Sequence, residues 1–381
     1  MGTKVIALAR MYAVSLVLGL LVLQMSNQAG QQVRQQPPEQ VAGHDVLRVI
    51  SVPAHFVPPP NFIFADRAGL IWFGAGLYTF LYDEANRWWE DRTEAFGKKQ
   101  SIWPLVAAGE DGRGRLWVEY GLSGQLAFYA NGKWHRASEI CPPEIRSLGH
   151  TLIPGKDGRI WLVSLAGLLD YDGAHWNGPF NPTQAALGQG GSSSTAGGRS
   201  PKPKSVYNRD AFDEAAKWIA GFWNGVEDSD GEVWLSGERA IWRFDPKTGS
   251  WKFYSVIYPQ AMSQSRVLQD NSTAVWFWET TGHVARYDKL ADRWARYDIS
   301  GRLTKMGARI EVLWPDRPGR VIIGTSEGNF ALTESSGELT PMALQASGED
   351  LHGESGISAV AEDRQGGIWV AWSDKIFVLR Q

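Results

Sequence analysis

The residues of this chain that could act as a nucleophile lie in Gly324-Thr325-Ser326-Glu327-Gly328. This pattern matches the turn that presents a nucleophilic serine in hydrolases, where the serine sits between a strand and a helix. Here the match falls between two short apolar runs, in a glycine-rich turn. We therefore expect Ser326 to be a turn residue, and no catalytic residue is predicted.

The residues that could hold a metal ion are equally limited. Asp228, Asp230 and Glu232 are spaced like the start of a calcium loop, but the later ligands and the distal glutamate are missing. We expect these aspartates to cap a hairpin turn. The seven histidines include no pair at the helical spacing of a zinc site, and Cys141 is the single cysteine. The sequence predicts no metal and no other cofactor.

Composition excludes one class of partner and points to a repeat. The formal net charge is -3, the pI is near 6.2 and no run of Lys or Arg occurs, which argues against nucleic acid as a partner. The chain of 381 residues contains 42 Gly and 19 Trp. Many glycines indicate many tight turns, and many tryptophans indicate one large side chain reused at equivalent positions.

The N-terminus resembles a targeting segment. Lys4 and Arg10 precede an uncharged apolar stretch from Met11 to Leu23, which suits the core of a signal peptide. We assign residues 1–29 to a signal peptide or an uncleaved signal anchor and residues 30–44 to a flexible linker. The expected location is periplasmic or extracellular, and membrane contact is expected only through a possible N-terminal anchor.

The rest of the chain is built from one repeated unit. Asp157-Gly158-Arg159-Ile160-Trp161 is matched at six other places, and the equivalent positions are Trp72, Trp117, Trp161, Trp234, Trp276, Ile322 and Trp369. They recur about every 45 residues, as in propeller blades, except between Trp161 and Trp234. In the third copy, four short apolar runs are separated by glycine turns, which predicts four antiparallel strands.

The predicted fold is all-β: a seven-bladed β-propeller over residues 45–381. The last copy lacks a fourth strand, whereas an unassigned strand precedes the first copy. We therefore predict that Leu47–Ser51 pairs with Ile376–Leu379 and closes the ring. The second strands should be buried on both faces, with their tryptophans between blades. A further set of tryptophans should cover the outer rim: Trp88, Trp134, Trp176, Trp251 and Trp294.

The long interval between the third and fourth copies predicts an insertion over residues 181–217. Gly188–Lys204 is rich in Gly, Ser and Pro, and Asp210–Ile219 has the composition of a helix. Two interpretations stay open: a lid over one face of the propeller, or a loop without a functional role.

The repeat resembles the two-component regulator propeller repeat, through its Asp, Gly, aliphatic and Trp positions and through Gly167-Leu168-Leu169-Asp170-Tyr171-Asp172. In that family such blades form the extracytoplasmic sensor of hybrid histidine kinases. The resemblance implies a ligand-sensing propeller, here without a kinase in the chain, which would signal through a membrane sensor protein. We expect a monomer.

Ligands of propellers usually meet the loops that join one blade to the next and the turns between second and third strands. The predicted ligand-binding residues on that face are Trp103, Glu119, Tyr120, Arg146, His150, Arg266, Trp278, Glu279, His283, Arg309 and Trp372. Aromatic rings mixed with charged groups suit a small polar molecule or a glycan.

The sequence favours a non-catalytic, extracytoplasmic module that recognises a ligand or a protein. Two alternatives stay open. The first is a metal-dependent lyase resembling streptogramin lyases, with Glu119, His150, Glu279 and His283 as candidate contributors. The second is a scaffold for protein assembly.

Overall fold

The structure is a computed structural model. It describes residues 39–40, 45–53, 60–76, 78–95, 100–101, 105–121, 124–141, 151–164, 167–180, 222–237, 240–255, 266–269, 274–343, 345–346, 349–350, 356–372 and 375–380. The predicted signal segment and the predicted insertion lie outside these residues. No helix within them is both long enough and apolar enough to cross a membrane.

The chain forms a seven-bladed β-propeller with four antiparallel strands in each blade, and these strands are consecutive in the chain in blades 1 to 6. Blade 1 contains Phe62–Ala65, Leu70–Ala75, Tyr78–Asp83 and Trp88–Asp91. Blade 2 contains Leu105–Glu110, Leu116–Tyr120, Gln125–Ala130 and Lys133–Arg136. Blade 3 contains Thr151–Pro154, Ile160–Ser164, Gly167–Tyr171 and Trp176–Phe180.

The remaining blades repeat this arrangement. Blade 4 contains Phe222–Glu227, Val233–Gly237, Ala240–Asp245 and Ser250–Ser255. Blade 5 contains Arg266–Gln269, Ala274–Trp278, His283–Asp288 and Arg293–Asp298. Blade 6 contains Ile310–Arg317, Arg320–Thr325, Gly328–Thr333 and Glu338–Ala343. Blade 7 contains Ile357–Glu362, Gly367–Trp372, Lys375–Arg380 and, from the N-terminus, Asp45–Ser51.

Several short strands, turns and a helix lie outside the four-stranded pattern of the blades. Glu39–Gln40 adds a short parallel fifth strand to blade 6. Two-residue strands pair as Glu94–Ala95 with Gln100–Ser101 and as Gln345–Ala346 with Glu349–Asp350. The 3₁₀ turns are Ala137–Glu139 and Lys156–Gly158. One α-helix, Ser300–Met306, connects blades 5 and 6 and ends at Gly307, whose φ of 69° is left-handed.

The N-terminal strand closes the ring, as predicted. Asp45–Ser51 runs antiparallel to Lys375–Arg380, with Ile50 opposite Ile376 and Val49 opposite Phe377. The buried side chains of Ile50 and Ile376 belong to one core with Ile71 and Phe80 of blade 1. This pairing covers the edge of Lys375–Arg380 and supplies the fourth strand of the last blade.

The core lies between the blades. The buried apolar residues that the structure describes fall into seven clusters, one for each pair of neighbouring blades. In six blades the second strand carries a tryptophan at the equivalent position of the repeat. Each of these side chains is at most 2% exposed: Trp72, Trp117, Trp161, Trp234, Trp276 and Trp369. Because a tryptophan buries about 200 Å² of mostly apolar surface, each of these side chains stabilises one interface by several kcal/mol.

An aspartate holds the tryptophan in place. In blade 7, Asp363 Oδ2 accepts the indole N–H of Trp369 at 2.8 Å, and Asp363 Oδ1 accepts the backbone N–H groups of Gln365 and Gly367. The same three bonds recur around Asp66, Asp111 and Asp228. The aspartate therefore caps the turn and orients the core side chain at once.

In most blades only one residue of the turn between the first and second strands has a positive φ. The capping aspartate is the first residue of the turn, and only the later glycine is left-handed, as at Gly69 and Gly366. Among the described turns between first and second strands, only that of blade 3 has two successive residues at positive φ, Asp157 and Gly158. Asp157 therefore does not reach Trp161, and Glu227 of blade 4 accepts that indole N–H at 2.6 Å instead.

The predicted outer tryptophans require one correction. Trp134 and Trp176 pack edge-on against the core tryptophans of the preceding blades, with ring centroids 5.7 and 5.9 Å apart. In blade 1, however, Trp88 is 40% exposed. Its neighbour Trp89 packs against Phe73 at 5.2 Å instead. Successive residues of a strand point to opposite faces, so only one of the adjacent pair can reach the interface.

Candidate functional site

One face of the propeller carries the turns between second and third strands and the connections between blades. We call it the connection face, and we call the opposite face, with the turns between first and second strands, the turn face. The structure describes the side chains of seven predicted site residues at the connection face. Six of them are less than 10% exposed, namely Glu119, Tyr120, Trp278, Glu279, His283 and Trp372. Only Arg309 is open to solvent, with 69% of its side chain exposed.

Glu119 is a buried carboxylate at the seam between blades 2 and 3. It lies two residues after Trp117, and its Oε2 accepts the backbone N–H of Leu152 at 2.8 Å. Burial raises its pKa from 4.5 to about 7, and the bond from Leu152 offsets only part of that effect. Glu119 therefore joins the second strand of one blade to the first strand of the next.

The equivalent position differs from blade to blade. Blades 1 and 6 have Gly74 and Gly324 there, and a Cβ added to Gly324 would lie 2.4 Å from the carbonyl oxygen of Ile357. Blade 5 has Trp278, which packs with Leu303 of the Ser300–Met306 helix. A glycine lets the next blade approach closely, whereas the indole of Trp278 shares the core between blades 5 and 6 with a residue of the helix.

His283 lies between two carboxylates above this seam. Its Nε2 is 3.4 Å from Glu279 Oε1, and its Nδ1 is 3.4 Å from Asp298 Oδ1. Glu279 is 3% exposed and also accepts the Thr281 hydroxyl at 2.5 Å. The Ser300 hydroxyl and backbone N–H donate to Asp298 and hold the pKa of its carboxyl below the usual value.

The backbone fixes the helix on this face. The Ile299 N–H donates to the Gly282 carbonyl, the Ile310 N–H to the Thr280 carbonyl and the Ser326 N–H to the Arg309 carbonyl. The connection between blades 5 and 6 is therefore bonded to a turn of each blade. Ser326 lies in a two-residue turn between strands, as predicted.

A polar surface covers this anchored connection. Its exposed residues are Thr281, Arg302, Thr304, Lys305 and Arg309, and we call them the helix patch. Arg309 Nε donates to Glu311 Oε1 at 2.7 Å, which orients the guanidinium. Hydroxyl and cationic groups on a rigid support are suited to bind anionic or hydroxyl-rich ligands.

The sequence did not predict the helix or most of the helix patch. Gly307 is a signal for a helix end, but Ser300–Met306 is only seven residues long and has no clear apolar period.

The other predicted site residues have separate environments. Trp372 packs against Phe377 with ring centroids 5.9 Å apart. Burial raises the pKa of Tyr120. Arg266 lies in the first strand of blade 5. The predicted site residues Trp103, Arg146 and His150 lie outside the described residues.

The three acidic residues with calcium-like spacing lie on the turn face. Lys289 Nζ reaches Asp228 at 2.5 Å and Glu232 at 2.9 Å, and it also bonds Asp230. Asp228 caps its turn, as expected. The ammonium group thus bonds all three carboxylates of the only cluster of acidic, histidine or cysteine groups among the described residues that has the geometry of a metal site.

Known structures share this fold at low sequence identity. The extracellular domain of a hybrid two component system from B. thetaiotaomicron is 16% identical, with a TM-score of 0.53, over 88% of this chain and 40% of that chain. Virginiamycin B lyase from Staphylococcus aureus is 12% identical, with a TM-score of 0.55, over 89% of this chain and 100% of the lyase. YCF48 in complex with a peptide is 11% identical, with a TM-score of 0.55, over 94% and 100%.

These likenesses establish the fold alone. The chain spans about two fifths of the length of the sensor chain that it matches, at 40%. No protein-family model and no curated protein matches the sequence.

Proposed function

We propose that this protein is a non-catalytic recognition propeller outside the cytoplasm, which binds a small polar molecule, a glycan or a protein on its connection face. The observation that carries the proposal is the contrast between buried and exposed groups there. The acid and histidine groups that could perform catalysis, Glu119, Glu279 and His283, are buried and contact protein atoms. The exposed groups of the helix patch are hydroxyl and cationic groups, which can bind a ligand but include no acid or histidine for proton transfer.

The rigidity of the helix patch supports recognition. Three backbone hydrogen bonds fix its connection to blades 5 and 6, and Leu303 is fully buried beneath the helix. A surface that is already ordered loses little conformational entropy when it binds. A polar, anchored patch fits ligand binding better than the flat apolar face expected of an assembly scaffold.

Two observations support a location outside the cytoplasm. The N-terminus has the charge and apolar pattern of a secretory signal, and structures with the same fold include extracellular domains of two-component systems. A membrane sensor protein is therefore our proposed partner for signalling. A reporter enzyme that is active only after export, fused after Gln381, should be active; an inactive fusion with full expression contradicts the proposed location.

The binding experiment uses the helix patch. The wild-type protein is first tested on an array of acidic and neutral oligosaccharides to find the glycans that it binds. The double substitution Lys305→Ala and Arg309→Ala should abolish binding to those glycans. Arg293→Ala with Arg296→Ala, two exposed residues on the fourth strand of blade 5, is the matched control. Equal binding by both double variants contradicts the assignment of the ligand to this patch.

The lyase alternative has one observation in its favour: the likeness to virginiamycin B lyase covers 100% of that enzyme. Within the described residues, His283 and Glu279 are the pair that such chemistry could use. Incubation with a type B streptogramin and Mg²⁺, with His283→Ala as the control, separates the two functions. If the wild type turns over the streptogramin and His283→Ala does not, the protein is an enzyme and the recognition proposal is wrong.

A further inference from the structure

The turn face carries a row of basic side chains. Arg364 of blade 7, Arg67 of blade 1, Arg113 of blade 2 and Lys156 of blade 3 all lie in the turn between the first and second strands, and all four are exposed. We call these four residues the basic arc. Arg317 is the last residue of the first strand of blade 6, directly before the corresponding turn, and is also exposed.

Direct contacts join the turns of the basic arc. The guanidinium of Arg364 donates to the carbonyl oxygen of Arg67 at 3.1 Å. The Arg67 backbone N–H donates to Glu110 of blade 2 at 2.6 Å. A Cβ added to Gly158 of blade 3 would lie 2.6 Å from the Cα of Gly112, so the turns of blades 2 and 3 touch. The four turns therefore form one continuous surface.

The acidic residues of these turns are largely turned inward. The carboxylates of Asp66, Asp111 and Asp363 accept indole and backbone N–H groups within the protein. Glu110 is half-buried, and burial raises the pKa of its carboxyl.

Two acidic residues of the same turns are exposed, Asp157 and Glu362, against the four cations of the basic arc. Within the described part of the chain, Arg113 and Lys156 form no side-chain ion pair. Arg67 Nε lies 3.7 Å from Glu110 Oε2, and Asp172 of the next turn of blade 3 is also exposed. The four turns between first and second strands therefore expose more cations than carboxylates, although the chain as a whole has a net charge of -3.

We propose that the basic arc binds an extended acidic segment of a partner protein. Three of its four cations are arginines, whose planar guanidinium groups suit carboxylates. No aromatic side chain is exposed in these four turns as far as the structure describes them. A glycan site would be expected to offer such a ring for stacking.

The geometry of the propeller sets the spacing of the acidic residues. Packed sheets lie about 10 Å apart. A polyproline II segment is extended, has three residues per turn and advances about 3.1 Å per residue. An acidic side chain at every third position of such a segment therefore lies on one face and matches one turn after another. A segment of about twelve residues spans the whole basic arc.

The experiment measures the fluorescence anisotropy of a labelled twelve-residue peptide, four repeats of Glu-Ala-Ala, with the full-length protein. The same peptide with Gln in place of Glu is the ligand control. The double substitution Arg113→Glu and Lys156→Glu should weaken binding at least about tenfold, and 200 mM salt should weaken binding by the wild type. Arg293→Glu with Arg296→Glu, on the fourth strand of blade 5, should bind like the wild type.

A milder variant, Arg113→Gln with Lys156→Gln, guards against loss of folding and should show a smaller decrease than the reversal. No binding of the acidic peptide by the wild type at 50 mM salt overturns the proposal, as does equal weakening by the variant in blade 5. Tighter binding of an oligogalacturonate of equal charge, or of a single-stranded oligonucleotide, overturns the assignment to a protein segment. The helix patch lies on the other face, so each of these results leaves the proposed function untouched.

Discussion

Glu119→Gln should stabilise the propeller at alkaline pH and leave it unchanged at acid pH. Glu119 is 7% exposed, and its described hydrogen bond is the one that it accepts from Leu152. A glutamine carbonyl can accept the same bond without a buried charge. The substitution therefore removes the cost of ionising this group in the folded protein and keeps its contact with blade 3.

The magnitude follows from the two pKa values. The pKa of an unfolded glutamate is 4.5, and that of Glu119 is about 7. Between those pH values the folded state keeps a proton that the unfolded state has lost. The free energy of unfolding therefore falls by ~1.4 kcal/mol for each pH unit, and stays level above pH 7. The wild type loses about 3 kcal/mol through this group between pH 4 and pH 8.

Urea unfolding followed by tryptophan fluorescence at pH 4, 6 and 8 tests this account. The variant should equal the wild type at pH 4 and exceed its free energy of unfolding by about 3 kcal/mol at pH 8. Glu338→Gln, at an exposed glutamate on the fourth strand of blade 6, should change stability by less than about 0.5 kcal/mol at each pH. A difference for Glu119→Gln that does not depend on pH would refute the reasoning.

Three further substitutions test the packing between and within blades. Lys289→Met removes the ammonium group that bonds three carboxylates, of which Glu232 still pairs with Arg243, and should destabilise by about 3 kcal/mol; millimolar calcium should raise the melting temperature of this variant and not that of the wild type. Asp363→Ala removes an indole bond and two turn bonds and should cost about 3 kcal/mol in urea unfolding, with Asn costing less. Gly324→Ala places a Cβ 2.4 Å from a backbone oxygen of blade 7 and should lower the melting temperature, whereas Gly301→Ala, in open space on the helix, should raise it.

Most of the fold follows from the sequence because the repeat unit is local. The capping aspartate, the glycine and the core tryptophan lie within a few residues of one another, and the hydrogen bonds that join them, as around Asp363 and Trp369, close within one turn. The N-terminal strand is predictable for a different reason: the last copy lacks one strand and an unassigned one precedes the first copy. Blade 3 departs from the pattern because Glu227, which binds its indole, comes from another blade.

The candidate site follows from the sequence only in part. The residues of the connection face can be located by counting strands, but their exposure depends on what the neighbouring blade places against them. Glu119 and Trp278 occupy equivalent positions. One carboxylate reaches a backbone N–H across its seam, and one indole lies beneath a helix. Arg302 and Lys305 are exposed because that short helix holds them, and no periodic pattern marks it.

The sequence alone determines seven copies of a four-stranded unit, because the turn residues and the alternating apolar residues that specify each unit lie close together in the chain. Which charged groups are exposed, buried or neutralised is decided only when the blades assemble. Lys289 then meets the acidic turn of blade 4, and the basic arc collects one cation from each of four turns that are far apart in the chain. Electrostatic surfaces depend on distance in space, and only the closed ring sets those distances.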